Sequence, residues 1–189
     1  MGKPATEITN FDPWSFKPAM VYHLIYHYSF GLHINHMIFL FTYILGILLA
    51  MSAGGWILTA LGTSLLIMYA MYVVKDMSIP FMFIVIGLNY LVRVIDEGYF
   101  MQDEGSTNKL LTALAICLGS FFVQIAGHIV FEDYQAPPSL MHGFVAAPVL
   151  ETVSLQFRLG CFKERRKEVY DEVDAVRFRA SNNYLLRKT

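Results

Sequence analysis

Charged residues are scarce in this chain. Asp, Glu, Lys and Arg make up 15% of its 189 residues, against about a quarter in ordinary soluble domains. Cysteine is scarcer, at two. Cys117 lies inside an apolar run, far along the chain from Cys161, so a disulfide framework is not expected. No phosphate-binding loop, nucleophile elbow or nucleic-acid motif is present, which removes nucleotide hydrolysis, serine hydrolase chemistry and DNA or RNA recognition as readings. The first 20 residues hold no apolar core segment. No cleavable signal peptide is therefore expected, and the first membrane helix would serve as its own insertion signal. There is no internal repeat and no low-complexity tract.

What is abundant is apolar surface. Hydrophobic residues reach 56%, with a mean hydropathy of +0.47. Four apolar runs stand out, at residues 37–53, 56–74, 79–95 and 110–131. The fourth has 22 residues without a single strong charge, enough to cross a bilayer as a helix. A fifth stretch, 144–159, is shorter and carries Pro148, Glu151 and Arg158. The expected fold is all-α: a polytopic membrane helical bundle with about four spanning helices plus a short re-entrant or interfacial helix. Three units are expected along it. Residues 1–20, with Pro4, Pro13 and Pro18, read as an extended arm. Residues 21–162 form the membrane-embedded domain, and 163–189 a basic tail. Residues 96–109, holding four acids and Gly105, read as a polar loop.

Net charge is −1, but its distribution is uneven: eight of the 14 basic residues follow Gly160. If four runs cross, the N-terminus and residue 132 fall on one side. His36, Lys75 and His128 then share that face, as do His23, His27, His33 and His142. If 144–159 dips in and returns, the basic tail joins them, and its charge assigns the face to the cytosol. Arg93 is expected to pair with Asp96 or Glu97, or to reach the interface.

Six histidines therefore converge. His23 and His27, four apart, share a helix face. His27 and His36 would point oppositely on one straight helix. They can meet only if the chain breaks between them, and Ser29-Phe30-Gly31 offers the break. His128 and Glu132 share a face at the end of the fourth run, where an imidazole and a carboxylate are costly unless something uses them. Histidine plus carboxylate with open positions suits non-haem Fe(II), with Zn(II) and Mn(II) close behind. A single HxxxH and no HxxHH set the chain apart from the membrane desaturases. A haem held by two facing histidines, such as His36 and His128, stays open. So does a purely interfacial belt of Tyr and His.

The residues also carry a resemblance. Gly127-His128, then Phe131-Glu132, preceded by Gln124 and followed by Pro137, is similar to the signature of a small endoplasmic-reticulum membrane family, the 2-hydroxy fatty acid dioxygenases. The stretch from Pro148 to Arg158-Leu159-Gly160 resembles the same family, as does Tyr26-His27 with His36 nine residues later. Together these cover residues 20–162. The chain departs from the pattern at Tyr28, Ser29 and Phe30, where the family has Asn and Pro, and at Phe41, where it has Pro. Ser154 stands where the family has a Glu, with Glu151 three residues before it. His23, His33 and His142 have no counterpart.

The resemblance implies an Fe(II)-dependent enzyme of the endoplasmic reticulum membrane. It would cleave a 2-hydroxy fatty acid with O2 to the fatty acid one carbon shorter, in phytosphingosine degradation. Its iron ligands would be His27, His36 and His128. Glu132 would be a fourth ligand or would orient a histidine, and Tyr26 and Tyr134 would hydrogen-bond the substrate headgroup. Membrane lipids are the expected surroundings, nucleic acid is not a partner, and the oligomeric state is open. The alternative is a non-enzymatic haem- or metal-binding membrane protein using the same histidines.

Overall fold

The computed structural model describes residues 11–100, 106–132 and 142–186. It is all-helical, with no strand among the described residues. Among the described residues seven α-helices follow one another: α1 (Phe16–Tyr26), α2 (Phe30–Ser52), α3 (Trp56–Val74), α4 (Ile79–Ile95), α5 (Ser106–Glu132), α6 (Ala147–Arg158) and α7 (Lys163–Leu186). Three helical stretches, Phe30–Ser52, Trp56–Phe100 and Thr107–Phe131, are long and apolar enough to cross a membrane.

The middle stretch is not one rod. At 45 residues it would reach about 68 Å if straight, roughly twice a hydrocarbon core. Lys75, at φ 54° and ψ −120°, ends α3, and a short 3-10 turn, Lys75–Ser78, feeds α4. Pro80 sits in the first turn of α4, where its missing N–H is not needed. The two helices then run antiparallel. Asn89 Nδ2 donates to Thr63 Oγ1 at 2.6 Å, and the Arg93 guanidinium lies 5.9 Å from the Trp56 ring centre. Arg93 also pairs with Glu97 at 2.7 Å. The expected polar loop after α4 begins as a π-helical turn, Asp96–Phe100, and Asp96 is tied by an ion pair to Lys109 on α5. Residues 101–105 of that loop lie outside the described residues.

At two glycines α2 and α5 approach so closely that an added side chain would crowd the facing helix. A Cβ on Gly46 would lie 2.7 Å from Cys117 Sγ and 3.1 Å from the Ala113 carbonyl. A Cβ on Gly127 would lie 2.6 Å from Asn35 Oδ1. The two contacts run in opposite order along the chain, so the helices are antiparallel. That register sets His36, on α2, across from His128, on α5.

One expectation needs correction. Residues 16–20, read as the end of an extended arm, belong to α1, and Ala19 and Met20 are fully buried. Pro18 misled because it stands in a first helical turn, which tolerates proline. The stretch after Phe144 holds a short helix, as expected. It enters as a π-helical turn, His142–Ala146, and continues as α6, buried along almost its whole length. Gln156 Nε2 donates to the Met77 carbonyl at 2.9 Å and fixes α6 to the α3–α4 turn. α7 is docked rather than trailing. Val169, Val173 and Val176 form a buried stripe at helical spacing, Arg177 donates to the Leu24 carbonyl at 3.2 Å, and Arg165 meets Asp76 at 3.1 Å.

Candidate metal centre

All six histidines and one carboxylate meet in the interior, at the end of the bundle where α1, the α3–α4 turn and α7 also gather. His23 lies on α1. His27 caps it, its backbone N–H donating to the His23 carbonyl at 2.8 Å. The chain then leaves the helix, and Ser29 starts α2 by accepting the Leu32 N–H on its hydroxyl at 3.1 Å. This break lets His27 turn back toward His36, as the spacing demanded. His33 and His36 come from α2, His128 from α5, His142 from the π-helical turn and Glu151 from α6. None of the seven is more than 6% exposed.

The rings touch one another. His27, His36 and His128 form a triangle with centroids 4.7, 5.0 and 5.0 Å apart. His27 continues to His23 at 4.6 Å, and His23 to His142 at 5.3 Å. Glu151 receives two rings: His33 Nδ1 lies 2.6 Å from Oε2, and His23 Nε2 lies 3.3 Å from Oε1. Among the described residues, three groups have ligand atoms mutually within 4.8 Å: His27, His36 and His128; His23, His33 and Glu151; and His23, His27 and His142. These buried groups can hold a metal ion.

Electrostatics agree. Burial pushes His23 below the usual imidazole range, against the pull of Glu151. Burial, reinforced by the neighbouring rings, pushes His27 and His142 well below it. Burial would raise the Glu151 carboxyl, but His23 and His33 outweigh it and hold the group well below the ordinary carboxylate range. Uncharged imidazoles at His23, His27 and His142 near an ionised Glu151 carboxylate are the protonation states a cation requires.

The structure brings His27, His36 and His128 together. It buries Tyr26 against Tyr22, rings 4.7 Å apart, and Tyr22 in turn meets His142 at 5.0 Å; Tyr26 is thus one side chain removed from the cluster. Glu132 is the last residue of α5, and its side chain, like all of Tyr134, lies outside the described residues. Sequence reasoning gave Glu151 no role. The signal was available, because a carboxylate in a short apolar stretch poses the same solvation problem that drew attention to His128. Asn35 was missed as well. Its Oδ1 lies 3.4 Å from His36 Nδ1 and its Nδ2 donates to the Val123 carbonyl at 3.4 Å. Asn35, itself on α2, thereby links the neighbouring His36 ring to the backbone of α5.

No family model, curated protein or solved structure matches the chain. Fold and site together define an all-helical protein with helices long and apolar enough to cross a membrane and an interior histidine–glutamate centre suited to a metal ion.

Proposed function

We propose that the protein is a membrane-embedded Fe(II)-dependent dioxygenase acting on 2-hydroxy fatty acids. The observation that carries this reading is the buried triangle of His27, His36 and His128, drawn from three separate segments. The resemblance of the Gly127–Glu132 and Pro148–Gly160 blocks to the 2-hydroxy fatty acid dioxygenases supports the same reading. Three imidazoles would hold the ion and would leave it positions for the carboxylate and hydroxyl oxygens of a 2-hydroxy acid and for O2. Iron, when bound there, would supply Lewis acidity and the redox chemistry that O2 needs. The overall change balances without a co-substrate: R–CH(OH)–COOH and O2 give R–COOH, CO2 and water.

The protein's own contribution is positioning and exclusion of water. Phe144 fills the space between Tyr43 on α2 and Phe121 on α5, with ring centroids 5.2 and 5.9 Å away. Beside it opens an apolar cavity of about 540 Å³ between α2 and α3, lined by Phe144, Val145, Leu48, Met51, Leu65 and Tyr69 among others. It begins two residues from His142 and suits an acyl tail. A haem fits less well, because the His27, His36 and His128 rings pack directly on one another and leave no slot for a porphyrin. An interfacial belt fits less well too, because the rings are covered by protein.

The test is to purify the protein in detergent, load it with Fe(II) and supply 2-hydroxypalmitate under air. At least one iron per chain and a product one carbon shorter are expected; a Soret band, or bound iron without turnover, would overturn the reading. We place α2, α3, α4 and α5 as four crossings of the endoplasmic reticulum membrane, with the metal centre at the cytosolic end. In a Cys161→Ser background, Lys17→Cys and Lys167→Cys should both be labelled from the cytosol, and Gly98→Cys from the lumen. Labelling of Lys17→Cys and Lys167→Cys from opposite sides would refute the arrangement.

A further inference from the structure

We propose that the centre holds two metal ions, the second on His23, His33 and Glu151. This goes beyond the dioxygenase reading and does not depend on it.

The donors divide geometrically. Of the three candidate groups, two share no residue: His27, His36 and His128 on one hand, His23, His33 and Glu151 on the other. The third links them through His23, His27 and His142. An ion with bonds of about 2.1 Å reaches only donors within about 4.2 Å of one another. A single ion therefore cannot use both disjoint groups. The His23 and His27 rings, 4.6 Å apart, place the two positions side by side.

The second group has the composition of a cation site. Two imidazoles and one carboxylate form the donor set used for non-haem Fe(II), and Zn(II) and Mn(II) accept it as well. Oε1 of Glu151 and Nε2 of His23 stand 3.3 Å apart, close to the roughly 3.4 Å edge of a tetrahedron with such bonds. They are not aligned as a hydrogen bond, and both atoms are buried without one. Nε2 of His33 and Oγ of Ser154, one turn beyond Glu151 on α6, are likewise buried without hydrogen-bond partners. Without an ion the set leaves polar atoms unsatisfied around a carboxylate that is 1% exposed, which is costly in an apolar interior. The first group contains no carboxylate and cannot neutralise this one.

The probe is Co(II). Detergent-solubilised full-length protein carrying Cys161→Ser, stripped with chelator, is titrated while its visible bands and bound cobalt are followed. All six histidines of the chain lie in this cluster, so no histidine elsewhere adds binding. Two cobalt ions per chain are expected, falling to one in Glu151→Gln and to one in His128→Ala. Mn(II)-loaded protein should give an exchange-coupled electron paramagnetic resonance signal that either variant loses. One cobalt per unmutated chain overturns the second site, whether or not a variant folds. If that single ion is lost in His128→Ala and kept in Glu151→Gln, the dioxygenase iron survives as a reading. If it is kept in His128→Ala and lost in Glu151→Gln, the iron assignment falls too. Two ions with no turnover of 2-hydroxypalmitate would leave the two-ion centre standing and the dioxygenase reading refuted.

Discussion

His128→Ala should remove iron from the His27, His36 and His128 triangle and reduce turnover of 2-hydroxypalmitate by more than about a hundredfold. Losing even a group that merely orients a ligand typically costs 10- to 100-fold, and His128 is one of only three donors in its group. Insertion should be untouched. Alanine is more apolar than histidine and a better helix former, and Thr107–Phe131 keeps its length and hydropathy. Iron per chain and product by mass spectrometry check both halves of the expectation. A fully active variant would refute the proposed ligand set.

Gly46→Leu is the second large effect, and it acts through packing. Cysteine Sγ at 2.7 Å from a Cβ can swing aside, but the Ala113 carbonyl at 3.1 Å belongs to the α5 backbone and cannot. Forcing side-chain atoms into that contact should separate α2 from α5 and cost about 3 kcal/mol. His36 and His128 face each other across the same pair of helices, so iron retention should fall together with the thermal midpoint in detergent. Gly119→Leu is the control. A Cβ there meets nothing within 4 Å, and the midpoint should stay put. Equal effects from the two substitutions would mean that helix propensity or detergent, not the α2–α5 approach, sets the stability.

Much of the helical skeleton was legible because a membrane protein writes its helices as apolar runs. Residues 56–74 and 79–95 coincide with α3 and α4, 37–53 overruns the end of α2 by a single residue, and the Lys75-Asp76 break marks the turn between α3 and α4. The need for a kink between His27 and His36 followed from helix periodicity alone. What periodicity could not give was depth. Pro18 and Pro148 look like helix breakers until their positions in first turns are known. α6 is too short to announce itself as a core helix, yet nearly every side chain on it is buried. Glu151 was passed over for the same reason. Attention went to Glu132, which sits one turn from a histidine in sequence, while Glu151 meets His23 and His33 only through tertiary packing across more than a hundred residues.

That separation has a consequence for biosynthesis. The centre draws its donors from both ends of the chain, His23 near the beginning and Glu151 near the close, with α5 delivering His128 in between. A nascent chain can insert α2, α3 and α4 before His128, His142 and Glu151 have left the ribosome. The His23, His33 and Glu151 group is therefore complete only after α6 has packed against the α3–α4 turn and Gln156 has found the Met77 carbonyl. Until then the early histidines face one another without their counter-charge. The cation would act as the final clasp between the first and last parts of the polypeptide.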